Sequence, residues 1–420
     1  MAHLAHLETE GDSKCVMTYS HDGFGLGHLR RNTTIASRLV RQVPKSSVLM
    51  LIGCPAGAVF KLPTGVDFIK LPSVIKRDTG VWHPLRLRIG LEKTKALRVA
   101  TIQQVAHVFH PQLLLVDHVP VGVWGELLPL LEMLKRSEDP PTVVLGLRDI
   151  LDRPEATRAL WEREGAYKAI RGYYDEIFVY GCRDVFDTSC EYGLEREFGG
   201  RIRYCGYVGT EEPYKSKEEM RRELQVERQL IVVTGGGGVD AYPMMETCMK
   251  ALTLLGPRAG VEAIFITGPL MDNEQREWLR ELAKGQKVRV LTQVEDALSY
   301  LNAADLVVTM AGYNTLCQVL QLRKKALVVP RSGPSAEQQM RARLFSERGL
   351  ADVILPEDLI PKKMAAKLME DLQRKDDPPY DSAINTNGGR NAAARLAQLL
   401  ASRNYYPVQS QIDRRICLYR

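Results

Sequence analysis

The stretch QLIVVTGGGG (229–238) decides the fold of the second half of the chain. An apolar run with the length of a buried strand ends in four consecutive glycines, and a helical segment follows. Glycine loses conformational entropy on folding, so such a run is expected where the backbone turns tightly or lies close to a ligand. No Lys-Ser or Lys-Thr pair follows, which argues against a P-loop. Gly235, Gly236, Gly237 and Gly238 therefore predict a site where a diphosphate rests on a helix N-terminus.

This strand belongs to a series of short apolar runs that alternate with amphipathic segments along the chain. The others lie at 15–20, 47–53, 66–72, 113–118, 142–147, 176–181, 261–268, 287–292, 304–310, 325–330 and 351–355. Repetition of this kind predicts parallel sheets covered by helices. We therefore predict an α/β protein with two facing, doubly wound Rossmann-like domains at 13–208 and 209–395, and a C-terminal helix and tail at 396–420. Ligands of such sheets bind beyond the C-terminal strand ends, here in the central cleft.

The bulk composition narrows the class of protein. The chain of 420 residues has 57 basic and 51 acidic residues, and its formal net charge is +6. This mild excess suits an anionic ligand or a peripheral membrane contact, and we expect no nucleic-acid binding. The eight cysteines form no CxxC pair, and no apolar run approaches the ~20 residues that cross a bilayer. With no signal-peptide pattern, these features predict a cytoplasmic protein with reduced thiols.

A second glycine cluster, SHDGFGLGH (20–28), follows the first predicted strand. Its glycines allow a tight turn and an anion site at the next helix, or they form a turn without a ligand. Their spacing is GxGxG, whereas dinucleotide-binding folds have GxGxxG. The second strand also lacks the acidic residue that would hold an adenosine ribose. An NAD-dependent enzyme is therefore disfavoured.

Two further segments lie at predicted strand ends of the second domain: MAGYNTLCQ (310–318) and PRSGPSAEQQMRA (330–342). Their amides and carboxylate can hydrogen-bond the hydroxyls of a sugar. Each segment alone is equally compatible with a helix cap or a solvated face. Their order and placement together favour a ligand site.

These segments resemble the GT-B glycosyltransferases, and most closely the branch that contains the bacterial transferase of N-acetylglucosamine to lipid I. The similarity covers most of the chain in outline, and its specific parts are the glycine loop ending at His28, the TGGGG turn and the two segments above. The resemblance implies that the glycine turn lies near a donor diphosphate and that the loop after the first strand, with Gly25, Gly27 and His28, faces the acceptor. It implies further donor contacts from Gly312, Tyr313, Asn314, Thr315, Gln318, Glu337 and Gln338. Position 318 is usually Glu in that family, and Gln318 brings less charge to the ribose.

All eight histidines lie at or before position 118, so a histidine that acts as catalytic base must come from the first domain. His28 stands in the loop that faces the acceptor, and Asp117 and His118 end a strand at the cleft edge. By analogy with related plant-type enzymes, we predict that Asp117 orients His28 as the base, with His118 near the acceptor. The alternatives are that Asp117 caps a turn, that His28 only binds a phosphate or the acceptor, or that Asp22 is the base.

The sequence thus predicts an inverting, metal-independent glycosyltransferase. It would use a nucleoside-diphosphate sugar, most plausibly a UDP-sugar, as co-substrate and require no cofactor, and no DxD metal-binding motif is present. Two alternatives remain: a sugar-nucleotide epimerase or hydrolase on the same fold, and a non-catalytic partner subunit. The acceptor is unknown. Basic residues around Trp82 could meet an anionic or lipid-linked acceptor, or could belong to a solvated loop and helix face; they are Lys76, Arg77, Arg86 and Arg88.

Overall fold

The computed structural model describes residues 13–21, 27–54, 62–77, 81–210, 212–380 and 384–402. The first domain is built on a seven-stranded sheet with the order β3-β2-β1-β6-β7-β8-β9, and every pair in it is parallel. Its strands are β1 (Lys14–Ser20), β2 (Ser46–Ile52), β3 (Val66–Lys70), β6 (Leu113–Asp117), β7 (Thr142–Arg148), β8 (Glu176–Tyr180) and β9 (Ile202–Tyr204). The central strands carry almost only apolar side chains, because helices cover both faces of the sheet.

The second domain has a six-stranded parallel sheet with the order β12-β11-β10-β13-β14-β15. Its strands are β10 (Gln229–Thr234), β11 (Val261–Ile266), β12 (Val288–Leu291), β13 (Leu306–Thr309), β14 (Ala326–Val328) and β15 (Asp352–Val353). Each lies within one of the predicted apolar runs. The prediction of two doubly wound α/β domains is confirmed.

Helices surround both sheets. Those of the first domain are α1 (Gly27–Gln42), α2 (Leu91–Phe109), α3 (Leu128–Lys135), α4 (Pro154–Glu164), α5 (Ala166–Tyr173), α6 (Thr188–Glu191) and α7 (Glu195–Phe198). Those that follow are α8 (Lys217–Glu223), α9 (Tyr242–Leu255), α10 (Asn273–Leu282), α11 (Ala297–Ala303), α12 (Tyr313–Leu322), α13 (Glu337–Glu347), α14 (Pro361–Gln373) and α15 (Gly388–Ser402). Within the described ranges, no helix combines the length and the apolar character that a membrane span needs.

The apolar core explains how the two domains stay together. One cluster of buried side chains belongs to the first domain and another to the second. The third contains residues of both domains, such as Leu29 and Tyr180 of the first and Tyr313 and Phe345 of the second. The domains therefore share buried apolar surface, which is removed from water only while they remain in contact.

Helix α15 returns to the first domain and packs on α1. Its Ala392, Leu396 and Leu400 are buried, and Arg395 forms an ion pair with Glu176 of β8. The boundary predicted at residue 395 falls inside this helix. The apolar stripe of α15 is thus covered by the domain that lies far from it in the sequence.

The segment around Trp82 differs from the expected solvated loop and helix face. Strands β4 (Val74–Arg77) and β5 (Val81–Pro84) form an antiparallel hairpin, with Trp82 paired to Lys76 across it. Val74 and Val81 have the β-branched side chains that favour strands. Arg86 and Arg88 follow the hairpin and are exposed.

Both sheets have the strand order that creates a topological switch point, where ligands of open α/β sheets bind. In the first sheet it lies between β1 and β6, and in the second between β10 and β13. His21 follows β1, and Asp117 ends β6. The glycine segment 235–238 follows β10, and Gly312 follows β13 by three residues. The fold therefore collects the predicted polar residues at two facing strand edges.

Candidate active site

A cleft of about 570 Å³ lies between the two domains and is lined by both. The first domain contributes residues of α1 and the end of β7, and the second contributes the glycine segment and the N-terminal ends of α12 and α13. Thirteen of the predicted site residues line it: Gly27, His28, Gly235, Gly236, Gly237, Gly238, Gly312, Tyr313, Asn314, Thr315, Gln318, Glu337 and Gln338.

His28 and Asp117 are in contact at the first-domain wall of this cleft. The Nδ1 atom of His28 lies 2.5 Å from Oδ2 of Asp117, and Asp117 is fully buried. A carboxylate can only accept, so the neutral His28 ring carries its proton on Nδ1 and keeps a lone pair on Nε2. This is the tautomer that a general base needs. The side chain of Asp117 is committed to His28 and Arg31 and does not cap a turn.

Arg31 completes this cluster. Its Nη2 donates to both carboxylate oxygens of Asp117 at 2.7 and 2.8 Å, and its Nε donates to Oδ1 at 3.1 Å. The same Nη2 lies 3.0 Å from Nδ1 of His28. Burial and the guanidinium groups of Arg31 and Arg148 hold the pKa of His28 well below its usual value. His28 is therefore neutral at physiological pH.

Two more histidines pack beside His28. His21 lies edge-on to it with ring centroids 4.9 Å apart, and His118 lies at 5.1 Å. Burial lowers the pKa of both rings well below the usual value. Trp82 of the hairpin closes the cluster against His21, at 5.7 Å. The predicted acceptor residue His118 thus lies next to the predicted base, in a cluster of uncharged rings.

The glycine segment has two structural and two open positions. A Cβ on Gly235 would lie 2.1 Å from that of Ala241, and one on Gly238 would lie 2.2 Å from the carbonyl oxygen of Thr267. Packing therefore requires glycine at both positions, so only part of the run is left to be explained by a ligand. A Cβ on Gly236 (φ +67°) or Gly237 would meet only Thr315 Oγ1 or Leu270 at 3.5 Å. Both glycines line the cleft with room beside their Cα atoms. The Gly236 N–H donates to Thr234 Oγ1 at 3.3 Å, so a bound phosphate would share or replace that contact. Helix α9 begins only at Tyr242.

The N-terminal end of α12 lies across from that of α1. A Cβ on Gly27 would lie 3.2 Å from Nδ2 of Asn314, so the two helix ends nearly touch. Unpaired backbone N–H groups at helix N-termini favour anions. Gln318, one turn further on, is buried and donates through Nε2 to Thr210 Oγ1 at 3.2 Å, which leaves its carbonyl oxygen as an acceptor.

Tyr313 joins the domains and does not offer its hydroxyl to the cleft. The hydroxyl donates to the carbonyl oxygen of Tyr180 at 2.8 Å and accepts from the backbone N–H of Val208 at 3.1 Å. Two guanidinium groups contact its ring. The distance from the ring centroid to the guanidinium carbon is 5.5 Å for Arg31 and 5.6 Å for Arg341. The predicted donor contact at this position is therefore limited to the backbone and the ring.

Glu337 is held by a buried ionic network across the domain interface. Its Oε1 accepts from Arg148 of the first domain and from Arg341 of its own helix, both at 2.9 Å. Arg341 also forms a two-pronged ion pair with Asp149, at 2.7 and 3.0 Å. Gln338 accepts from the backbone N–H of Arg331. A sugar that binds Glu337 must share this carboxylate with two arginines.

Sequence reasoning placed no role on Arg31, Arg148, Asp149 or Arg341. Two signals were available: Arg148 and Asp149 follow a predicted strand directly, and Arg31 lies three residues after His28 on the same helix face. The predicted residues Gly25 and Asp22 lie outside the described residues. Among the residues that are described, no group of three or more His, Cys, Asp or Glu side chains is arranged as a metal site.

Comparison with known proteins agrees with this architecture. Residues 230–400 match the family model of the glycosyltransferase family 28 C-terminal domain. One relative is the UDP-N-acetylglucosamine–N-acetylmuramyl-(pentapeptide) pyrophosphoryl-undecaprenol N-acetylglucosamine transferase of Rubrobacter xylanophilus, 29% identical over 180 residues, which are 42% of this chain and 50% of that protein. The chain thus spans about half the length of this curated relative.

Solved structures with the same fold extend over both domains. MurG of Acinetobacter baumannii has a TM-score of 0.56 and 16% identity, with 93% of this chain and 99% of that chain covered. A UDP-N-acetylglucosamine 2-epimerase has a TM-score of 0.59 and 14% identity, with 95% and 98% covered. At these identities the likeness concerns the fold alone. The predicted GT-B fold and the resemblance to the branch acting on lipid I are confirmed.

The ionic network predicts that Arg341→Met destabilises the protein strongly. The change leaves Asp149 buried with an uncompensated charge, which costs about 3–5 kcal/mol when one partner of a buried pair is removed. The melting temperature should therefore fall by several degrees in differential scanning calorimetry. Arg343→Met is the matched control, because Arg343 lies on the same helix with its side chain 80% exposed. Equal melting temperatures for the two variants would contradict the account of the network.

Proposed function

We propose that this chain is an inverting glycosyltransferase that moves a sugar from a UDP-sugar in its second domain to a hydroxyl or amine acceptor in its first. The observation that carries the proposal is the His28–Asp117 contact, which faces the open glycine segment and the helix N-termini across one cleft. One wall offers a neutral base, and the other offers backbone N–H groups for an anion. These are the two requirements of transfer from a sugar diphosphate.

The donor is assigned to the second domain. The family model matches this domain, and the relative from Rubrobacter xylanophilus is named for a UDP-N-acetylglucosamine substrate. We place the diphosphate at Gly236, Gly237 and the N-terminal end of α12, with Gln318 near the ribose and Glu337 and Gln338 near the sugar. We expect the transferred group to be a hexosyl or an N-acetylhexosaminyl group.

The reaction begins with the proton of the acceptor, which His28 takes up through Nε2. The acceptor oxygen or nitrogen forms a bond to the anomeric carbon from the face opposite the diphosphate. The bond from that carbon to the diphosphate oxygen breaks, and UDP leaves with the electron pair. Asp117 stabilises the imidazolium, and the N–H groups around Gly236 and Gly237 stabilise the departing charge, so the proposal needs neither a metal ion nor a cofactor.

The alternative function is that of a sugar-nucleotide epimerase. The solved 2-epimerase structure supports only a common fold, whereas the matching family and the relative are both glycosyltransferases by name. Incubation of the protein with UDP-N-acetylglucosamine alone separates the two. An epimerase would convert the donor without an acceptor, and a glycosyltransferase would leave it intact or hydrolyse it slowly. A partner subunit without its own activity would bind no nucleotide.

The donor assignment predicts that Gly236→Asp abolishes nucleotide binding. Asp tolerates a positive φ better than most residues, but its carboxylate would stand where the diphosphate is expected. UDP should raise the melting temperature of the wild type and leave that of Gly236→Asp unchanged. Gly236→Asn is the matched control, because it has the same shape without the charge and should keep much of the UDP effect. Equal responses to UDP in both variants would remove the diphosphate from this position.

The base assignment predicts that His28→Ala retains the donor and loses turnover. Removing a general base typically costs 10²–10⁴-fold in rate. Calorimetry should give a UDP affinity within a few-fold of wild type, while formation of glycosylated product falls by at least about 100-fold. A variant that transfers sugar at the wild-type rate would show that His28 is not the base.

A further inference from the structure

The contact of Arg31 with Asp117 changes the charge that acts on His28. Asp117 is fully buried, and its carboxylate receives three N–H···O contacts from Arg31. If Asp117 had His28 as its only partner, its full negative charge would raise the pKa of the imidazole. A larger share of His28 would then be imidazolium, and an imidazolium cannot accept a proton from a substrate.

We infer that Arg31 is a positioning residue that compensates the charge of Asp117 and thereby keeps His28 a neutral base with its Nε2 lone pair available. Asp117 Oδ2 remains 2.5 Å from His28 Nδ1, so it still fixes the tautomer. The inference rests on the proposed function, because only that function makes His28 a catalytic base. The geometry of the three side chains stands independently of any substrate.

The charges around His28 agree with this role. Arg31 is on the same helix as His28. Among the residues that the structure describes, the other charged or titratable groups around His28 are Asp117 at the end of β6, His118 directly after β6, His21 directly after β1 and Arg148 at the end of β7. The two other histidines are neutral because burial lowers their pKa. Within the described part of the chain, Asp117 is therefore the one carboxylate in this group, and Arg31 compensates its charge beside His28.

Arg31 is itself held from the other domain. Its guanidinium lies 5.2 Å from the ring centroid of Tyr180 and 5.5 Å from that of Tyr313, which belongs to α12 of the second domain. The side chain is 1% exposed. Aromatic faces attract a guanidinium, and a buried arginine keeps one orientation. The second domain thus contributes one of the groups that contact the Arg31 guanidinium, beside Asp117 and Tyr180 of the first domain.

The test is the titration of His28 in the ligand-free protein, followed by NMR of its imidazole C–H signals, which are assigned by their loss in His28→Asn. In Arg31→Met the pKa of His28 should rise by about one pH unit or more. The variant loses a cation that repels a proton on His28, and the negative charge of Asp117 is no longer compensated. Since His28 must be neutral to act, the acid limb of kcat/KM should move to higher pH by the same amount. Arg41→Met, at the exposed end of the same helix, is the matched control and should leave both unchanged.

Arg31→Lys keeps the test valid if Arg31→Met fails to fold. An ammonium group lacks the planar fork that contacts both oxygens of Asp117, so the pKa of His28 should rise less but in the same direction. An unchanged or lower pKa of His28 in a folded Arg31 variant would overturn the inference. A shifted pKa without any sugar transfer would overturn the proposed function and leave the role of Arg31 intact.

Discussion

The charge of Asp117 is the constraint on which the rest of the site depends. A carboxylate without access to water is stable only if nearby donors compensate it. Here the donors are the Arg31 guanidinium and the His28 imidazole. The same contacts fix the tautomer of His28, keep the ring neutral and bring Arg31 against Tyr313 of the opposite domain. The stability of one buried charge, the state of the base and the contact between the domains are therefore linked.

The topology explains why such a cluster forms at all. Parallel strands present their C-terminal ends at one edge, and the switch point leaves a gap there that side chains of neighbouring strands can fill. In the first domain His21, Asp117 and Arg148 lie at or directly after strand ends, and in the second domain the glycine segment follows β10. With the two edges facing each other, His28 and Arg148 of the first domain and the glycine segment of the second line one cleft, with Asp117 buried in contact with His28. The buried pairs Arg341–Asp149 and Arg148–Glu337 tie the edges together.

Much of the fold could be predicted from the sequence, because strands covered on both faces appear as uninterrupted apolar runs. The glycine segment could be proposed because four consecutive glycines are unusual after a strand. The pairing of His28 with Asp117 was proposed from the resemblance to related enzymes, in which an aspartate orients a loop histidine. The roles of the arginines could not be predicted, because each depends on a carboxylate 86 to 192 residues away, as in the pairs Arg31–Asp117 and Arg341–Asp149. The hairpin at Trp82 was missed because its strands are only four residues long. The packing roles of Gly235 and Gly238 depend on Ala241 and Thr267 and become visible only in three dimensions.

A crystal structure of the protein with bound UDP tests the central claim most directly. The account predicts the diphosphate within hydrogen-bond distance of the backbone N–H groups of Gly236 and Gly237 and the N-terminal end of α12. It also predicts that Nε2 of His28 faces the open space beyond the terminal phosphate. A nucleotide bound outside the cleft, or one whose phosphates contact Arg31 and His28 but not the glycine segment, would contradict it.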